Sequence, residues 1–201
     1  MSRLLLVRHG DTKFTSARRF QGYSDIDLSA AGYKQAERLH DRLAMEKIDI
    51  IYSSDLRRAL ATDEAIAARQ QAHIMVCTEL REINYGEIEG LTFDEISCSY
   101  PEVASSCVDW SLQLNFPGGE SFEEFSQRVR GFPSRLKKHA PEQTILIVAH
   151  GGPLRVLLCY LCGVDLWHWR QFQINVASLS IVETYPEIAV ISLLNDTSHL
   201  R

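Results

Sequence analysis

Short apolar runs alternate along this chain with stretches in which apolar positions recur every third or fourth residue. The runs predict strands at residues 3–8, 49–52, 74–77, 144–149, 179–183 and 189–193. Between the first two runs, Ala36, Leu39 and Leu43 form one apolar stripe, while Glu37, Arg38, Asp41 and Arg42 face outward, and Ser29 is placed to cap this helix. Further helices are predicted from Ser54 or Asp55 through Arg69, from Ser121 through His139 and from Gly151 through Leu161. The last two strands face each other across Tyr185-Pro186 and should pair antiparallel. Strands alternating with helices predict an α/β fold, a three-layer αβα sandwich whose central sheet is mostly parallel with one antiparallel edge strand. The least regular stretch, at about 84–116, contains Tyr85-Gly86, a short helical candidate near 93–99 and Pro101, and is expected to be a lid inserted near the carboxyl ends of the strands.

With 201 residues the chain can build one sizeable core, so one domain over 1–201 is expected. A net charge of −5 and the lack of a polybasic stretch give no electrostatic reason for a nucleic-acid partner. No apolar run approaches the span of a bilayer, and a cytoplasmic protein without a membrane partner is the expectation. Five cysteines, an odd number scattered through the chain, argue for reduced thiols. Cys159 and Cys162 have CxxC spacing but follow Leu154, Val156, Leu157 and Leu158 on an apolar helix, which favours packing over metal binding. The cluster Trp167-His168-Trp169 with Phe172 reads as core or as a subunit contact, and nothing in the pattern sets an oligomeric state.

Two of the strands end alike. The run Leu4-Leu5-Leu6-Val7 leads into Arg8-His9-Gly10, and Ile145-Leu146-Ile147-Val148-Ala149 leads into His150-Gly151-Gly152-Pro153. In an open α/β sheet ligands bind beyond the carboxyl ends of the strands, so parallel neighbours would bring the two imidazoles together across 141 residues of sequence. Glycine allows close backbone approach, and a following helix offers unpaired N–H groups to an anion. Neutral imidazole is nucleophilic near pH 7, and Arg8 can grip phosphoryl oxygens. Arg58, at the start of the helix after the second strand, projects from the same edge.

The ordered segments Leu6-Val7-Arg8-His9-Gly10-Asp11-Thr12, Phe20-Gln21-Gly22, Asp27-Leu28-Ser29, Ser53-Ser54-Asp55-Leu56-Arg57-Arg58-Ala59 with Thr62, Leu80-Arg81-Glu82, Pro117-Gly118-Gly119-Glu120-Ser121 and Val148-Ala149-His150-Gly151-Gly152 resemble the histidine phosphatase (phosphoglycerate mutase-like) superfamily. That resemblance implies a phosphomonoester hydrolase in which His9 becomes a phosphohistidine. Arg8, Arg58 and His150 would line the phosphate pocket, with Thr12, Thr15, Gln21, Gly22 and the Gly151 N–H as further donors. Glu82 would protonate the leaving alcohol and then activate water, which requires it to be protonated when substrate binds. The resemblance implies neither a metal nor a cofactor, and a small phosphomonoester as substrate. Family members usually carry Glu or Gln at the position of Asp11 and Asn at that of Thr15. Asp11 keeps the charge and Thr15 keeps a hydroxyl.

Residues 82–127 hold ten acidic side chains and no Lys or Arg. A mutase would need cations there for a carboxylate and a second phosphate. The Leu91-Thr92-Phe93-Asp94-Glu95-Ile96 run is similar to that of α-ribazole phosphatases, so α-ribazole 5′-phosphate is the expected substrate, with Tyr85, Phe93, Trp110 and Phe116 available to stack on its base. A broad-specificity phosphatase and a phosphoglycerate mutase-type phosphotransferase stay open as alternatives. A non-catalytic phospho-ligand binder fits worst, because His9, Glu82, Arg58 and His150 are all kept.

Overall fold

A computed structural model describes residues 2–68, 70, 72–109 and 112–201. Six strands form one sheet: β1 (Ser2–Arg8), β2 (Ile50–Ser53), β3 (Ile74–Val76), β4 (Thr144–Ala149), β5 (Leu179–Thr184) and β6 (Ala189–Asp196), in the order β3-β2-β4-β1-β5-β6. The pairs β2·β3, β2·β4 and β1·β4 are parallel, and antiparallel pairing is confined to one side, where β5 joins β1 and β6. Alternate residues of the central strands feed opposite layers, as the two-residue period requires. Leu5, Val7, Leu146 and Val148 pack with α2 (Ala30–Leu43) and α3 (Arg57–Ala67) through Leu39, Leu43, Ala59 and Ile66. Leu4, Leu6, Ile145 and Ile147 pack on the other face with α6 (Phe122–Gly131) and α8 (Gly151–Cys162) through Phe125, Val129, Leu154 and Leu157. The expected αβα layering follows from these two cores.

Local chemistry sets the helix ends. Ser29 accepts from the Gly32 N–H at the start of α2, and Ser121 forms a reciprocal capping box with Glu124 at the start of α6. Gly163 ends α8 in the left-handed region, φ 65°. The helix predicted over 121–139 is broken: α6 stops at Gly131 and Pro133 starts the short helix α7 (Pro133–Leu136), because proline cannot continue the i→i−4 ladder. Pro101, in the least regular stretch of the sequence, opens a helix, α5 (Pro101–Val108), directly after α4 (Phe93–Ser99). A four-residue helix, α1 (Lys13–Ser16), was also outside the sequence expectation. Arg69, the expected end of α3, and Trp110 lie outside the described residues. Among those residues, no helix is long and apolar enough to cross a membrane.

Candidate active site

Because β1 and β4 are parallel neighbours in register, Arg8 against Ala149, the next residue of each strand reaches the same edge. His9 donates its backbone N–H to Ala149 O at 3.0 Å, and the His9 and His150 ring centroids lie 5.0 Å apart. β2 flanks β4 on its other side, and the turn after it delivers Ser54 and, in the first turn of α3, Arg58. Gly10 and Gly32 make this edge compact: a Cβ on Gly10 would sit 2.7 Å from Gly32 O, and one on Gly32 2.1 Å from Asp11 O. The loop after β1 therefore lies backbone to backbone against the first turn of α2.

The His9 Nδ1 is 2.7 Å from Gly10 O, an acceptor only, so Nδ1 carries the proton and Nε2 keeps its lone pair. Burial, followed by the charges of Arg58 and Arg8, holds the His9 pKa well below the ordinary imidazole value, which keeps the ring neutral. Arg58 is fully buried and donates from Nη1 to Ser24 O at 2.9 Å, from Nη2 to Gly22 O at 2.7 Å and from Nε to His150 Nδ1 at 3.2 Å. Burial pushes its pKa down to about 10, countered by Glu82 and Glu89. Arg8 donates from Nη1 to Ile174 O at 2.7 Å, while its buried Nε has no acceptor among the described residues. The Gln21 Nε2 is in the same position, and Thr12 orients that amide by donating to Gln21 Oε1 at 2.8 Å. Buried donors without acceptors, beside a neutral imidazole with a free lone pair, can hold an oxyanion.

Glu82 approaches from the opposite wall. Its Oε2 accepts from the Gly152 N–H and its Oε1 from the Ile83 N–H, both at 3.0 Å. A cavity of about 240 Å³ is lined by His9, Arg8, Gln21, Glu82, Gly151 and Thr15, with Arg18, Arg19 and Arg155 at its rim. A second cavity of about 430 Å³ shares Phe20, Tyr85 and Arg155 with it and continues between Phe93, Phe116, Phe122, Trp169 and Arg170.

Several predicted residues take a different part from the one expected. Thr15 Oγ1 donates to Asp11 Oδ1 at 2.8 Å, and Thr12 Oγ1 is committed to Gln21 and to the first turn of α1, so both hydroxyls shape the loop. Asp11 Oδ2 accepts from Ser16 and Ser29, tying α1 to the cap of α2, which is what the shorter acid does in this loop. Gly22 has no room for a side chain, since its Cβ would meet Ile83 O at 2.2 Å, and its carbonyl anchors Arg58. Trp169 does belong to the core, as expected, at 7% exposed, and it also lines the second cavity. The absence of cations from 82–127 does not leave the pocket without them, because Arg18, Arg19, Arg155 and Arg170 arrive from other segments. Sequence reasoning missed Arg155, although its i+4 spacing from Gly151 places it on the same helix face. Arg18 reaches the rim through a backbone at φ 53°, for which the sequence holds no signal.

A family model for the histidine phosphatase superfamily, branch 1, matches residues 4–197. The chain belongs to that superfamily, and its class is that of the phosphoric monoester hydrolases. It is 36% identical to phosphoserine phosphatase 1 of Hydrogenobacter thermophilus over 200 residues, covering 100% of this chain and 95% of that protein. The structure is similar to that of the α-ribazole phosphatase from Shigella flexneri, with a TM-score of 0.90 and 31% identity over 96% of each chain. It is also similar to mycobacterial glucosyl-3-phosphoglycerate phosphatase, with a TM-score of 0.88 and 29% identity over 97% of this chain and 99% of that one.

Proposed function

We propose that this enzyme hydrolyses small phosphomonoesters through a phosphohistidine on His9. The observation that carries the reading is the His9 Nδ1 contact to Gly10 O, which leaves Nε2 as the one lone pair of a neutral ring beside Arg8 and Arg58. In the first step Nε2 attacks phosphorus, the bond from phosphorus to the ester oxygen breaks, and the departing oxygen takes a proton from Glu82. Arg8, Arg58 and the Gln21 amide bind the equatorial oxygens as charge spreads over them. In the second step water gives its proton to the Glu82 carboxylate and attacks phosphorus, the P–N bond breaks, and His9 is restored.

The leaving alcohol occupies the larger chamber, roofed by Tyr85, Phe93 and Phe116 from the 84–116 segment, which acts as the lid. Its aromatic walls suit a planar base such as that of α-ribazole 5′-phosphate. Arg155 and Arg170 favour a second reading, a leaving group that is itself an anion. The role of Glu82 is tested by Glu82→Gln on an alkyl phosphate and on p-nitrophenyl phosphate. The alkyl ester should lose far more turnover, because p-nitrophenolate departs without a proton; equal losses would refute the shuttle.

A further inference from the structure

His9 and His150 follow directly on paired strands, but Glu82 has no such support. It lies between two short turns, Thr78–Leu80 and Gly86–Ile88, and neither Glu82 nor Ile83 makes a backbone-to-backbone hydrogen bond among the described residues. A carboxyl that passes a proton to the ester oxygen must stay within hydrogen-bond reach of it, so its main chain has to be held by something else.

Arg128, on α6, supplies the hold. Its Nη1 lies 3.3 Å, 3.1 Å and 3.0 Å from the carbonyl oxygens of Thr78, Glu79 and Arg81, and its Nη2 donates to Glu82 O at 3.1 Å. The other edge of the guanidinium forms a two-pronged ion pair with Glu120, Nε to Oε1 and Nη2 to Oε2, both at 2.8 Å. Glu120 in turn accepts the Asn84 N–H at 2.9 Å and donates its own N–H to Asn84 O at 2.9 Å. One ion pair therefore binds the chain on both sides of Glu82, a task that suits five donors fixed in a plane. The same helix also reaches the carboxylate end. The Phe125 ring, one turn before Arg128, lies 5.3 Å from its guanidinium carbon and would be 3.0 Å from a Cβ on Gly152, whose N–H holds Glu82 Oε2. Arg128 lines neither the phosphate cavity nor the second one, so any effect on the reaction passes through the residues it holds.

We propose that Arg128, braced by Glu120, is a positioning residue that sets the place of the Glu82 carboxyl and thereby controls proton delivery to the leaving oxygen. This rests on the Glu82 shuttle described above. The test measures kcat/KM, which reports the steps up to formation of the phosphoenzyme, for glycerol 3-phosphate and for p-nitrophenyl phosphate. Arg128→Met should lower the alkyl-to-aryl ratio by at least about tenfold, because only the alkoxide needs a proton to depart. A merely structural defect lowers the active fraction and leaves that ratio unchanged. Arg128→Lys keeps an ion pair with Glu120 for the fold, but its single ammonium cannot also span the four carbonyls, and it should lower the ratio by about threefold or more. In a Glu82→Gln background, Arg128→Met should cost the alkyl ester no more than about threefold, since the group it positions is already gone. An unchanged ratio in the Arg128 variants, or the full loss repeated in the Glu82→Gln background, overturns the proposal. If Glu82→Gln itself affects both esters alike, it is the shuttle that fails, and a wild type that hydrolyses neither ester overturns the phosphatase reading.

Discussion

Arg58 donates from Nε to Nδ1 of His150 across 3.2 Å, and the opposite ring nitrogen of His150 bonds to Ser54 Oγ at 2.9 Å. An imidazole that accepts at Nδ1 is protonated at Nε2, so His150 is held as one neutral tautomer between an arginine and a serine. Burial, then the charges of Arg58, His9 and Arg8, keep its pKa well below the ordinary value. In this arrangement His150 steadies Arg58. Ser54→Ala removes one of its two anchors and should lower kcat/KM about fivefold, near 1 kcal/mol for a hydrogen bond. Unchanged kinetics in that variant would contradict the link.

Gly152 and Glu82 are coupled by space. A Cβ at position 152 would lie 2.1 Å from Glu82 Oε1 and 3.0 Å from the Phe125 ring, so Gly152→Ala must displace the carboxylate or the helix start. The expected outcome is a folded protein whose kcat for alkyl phosphates falls at least about tenfold, with a smaller loss on p-nitrophenyl phosphate. Circular dichroism beside steady-state kinetics checks both halves.

The row of candidate catalytic side chains was legible because strand ends are legible. Leu4 to Val7 and Ile145 to Ala149 are uninterrupted apolar runs, and the residues after them had to share an edge once the strands paired. The second cavity was not. Its walls come from Phe20, Tyr85, Phe122, Arg155 and Trp169, which are far apart in sequence and meet only through packing of α6, α8 and the turn Leu166–Gln171. Counting charges within 82–127 pointed away from anionic leaving groups because the count stopped at a segment boundary, whereas a cavity is charged by everything that lines it. Pro101 and Pro133 show the same limit: one starts a helix and the other splits one, and only the neighbouring packing decides which.

Both buried imidazoles make stability depend on pH. Their folded-state pKa values lie well below 6.5, so above about pH 7 neither state binds a proton at them, and their effect is constant. As pH falls below 6.5 the unfolded chain takes up protons that the fold refuses, and stability is lost until the folded values are reached. The melting temperature of the wild type should therefore drop between pH 7 and pH 5 more steeply than that of a His9→Asn/His150→Asn variant. Parallel slopes would contradict this origin.

Asp63 has the opposite sign. It is fully buried on α3, and burial pushes its pKa up to about 8 against the opposing effect of the neighbouring Ser53 hydroxyl. Its cost is absent below the ordinary value of 3.8 and grows as pH rises toward 8, because the unfolded chain ionises first. Asp63→Asn should thus raise the melting temperature, with a gain that increases from pH 5 to pH 8. A gain that does not vary with pH would mean that packing, and not charge, sets the cost.

The covalent intermediate is the centre of the account. Rapid quenching in alkali during turnover of a phosphomonoester, followed by peptide mapping with mass spectrometry, should find one phosphoryl group on the peptide containing His9. The group should be stable in base, lost in acid, and absent from His9→Asn, whose turnover should fall by several orders of magnitude. A phosphoryl group on another residue, or near-normal turnover by His9→Asn, would contradict the assignment of His9 as the nucleophile.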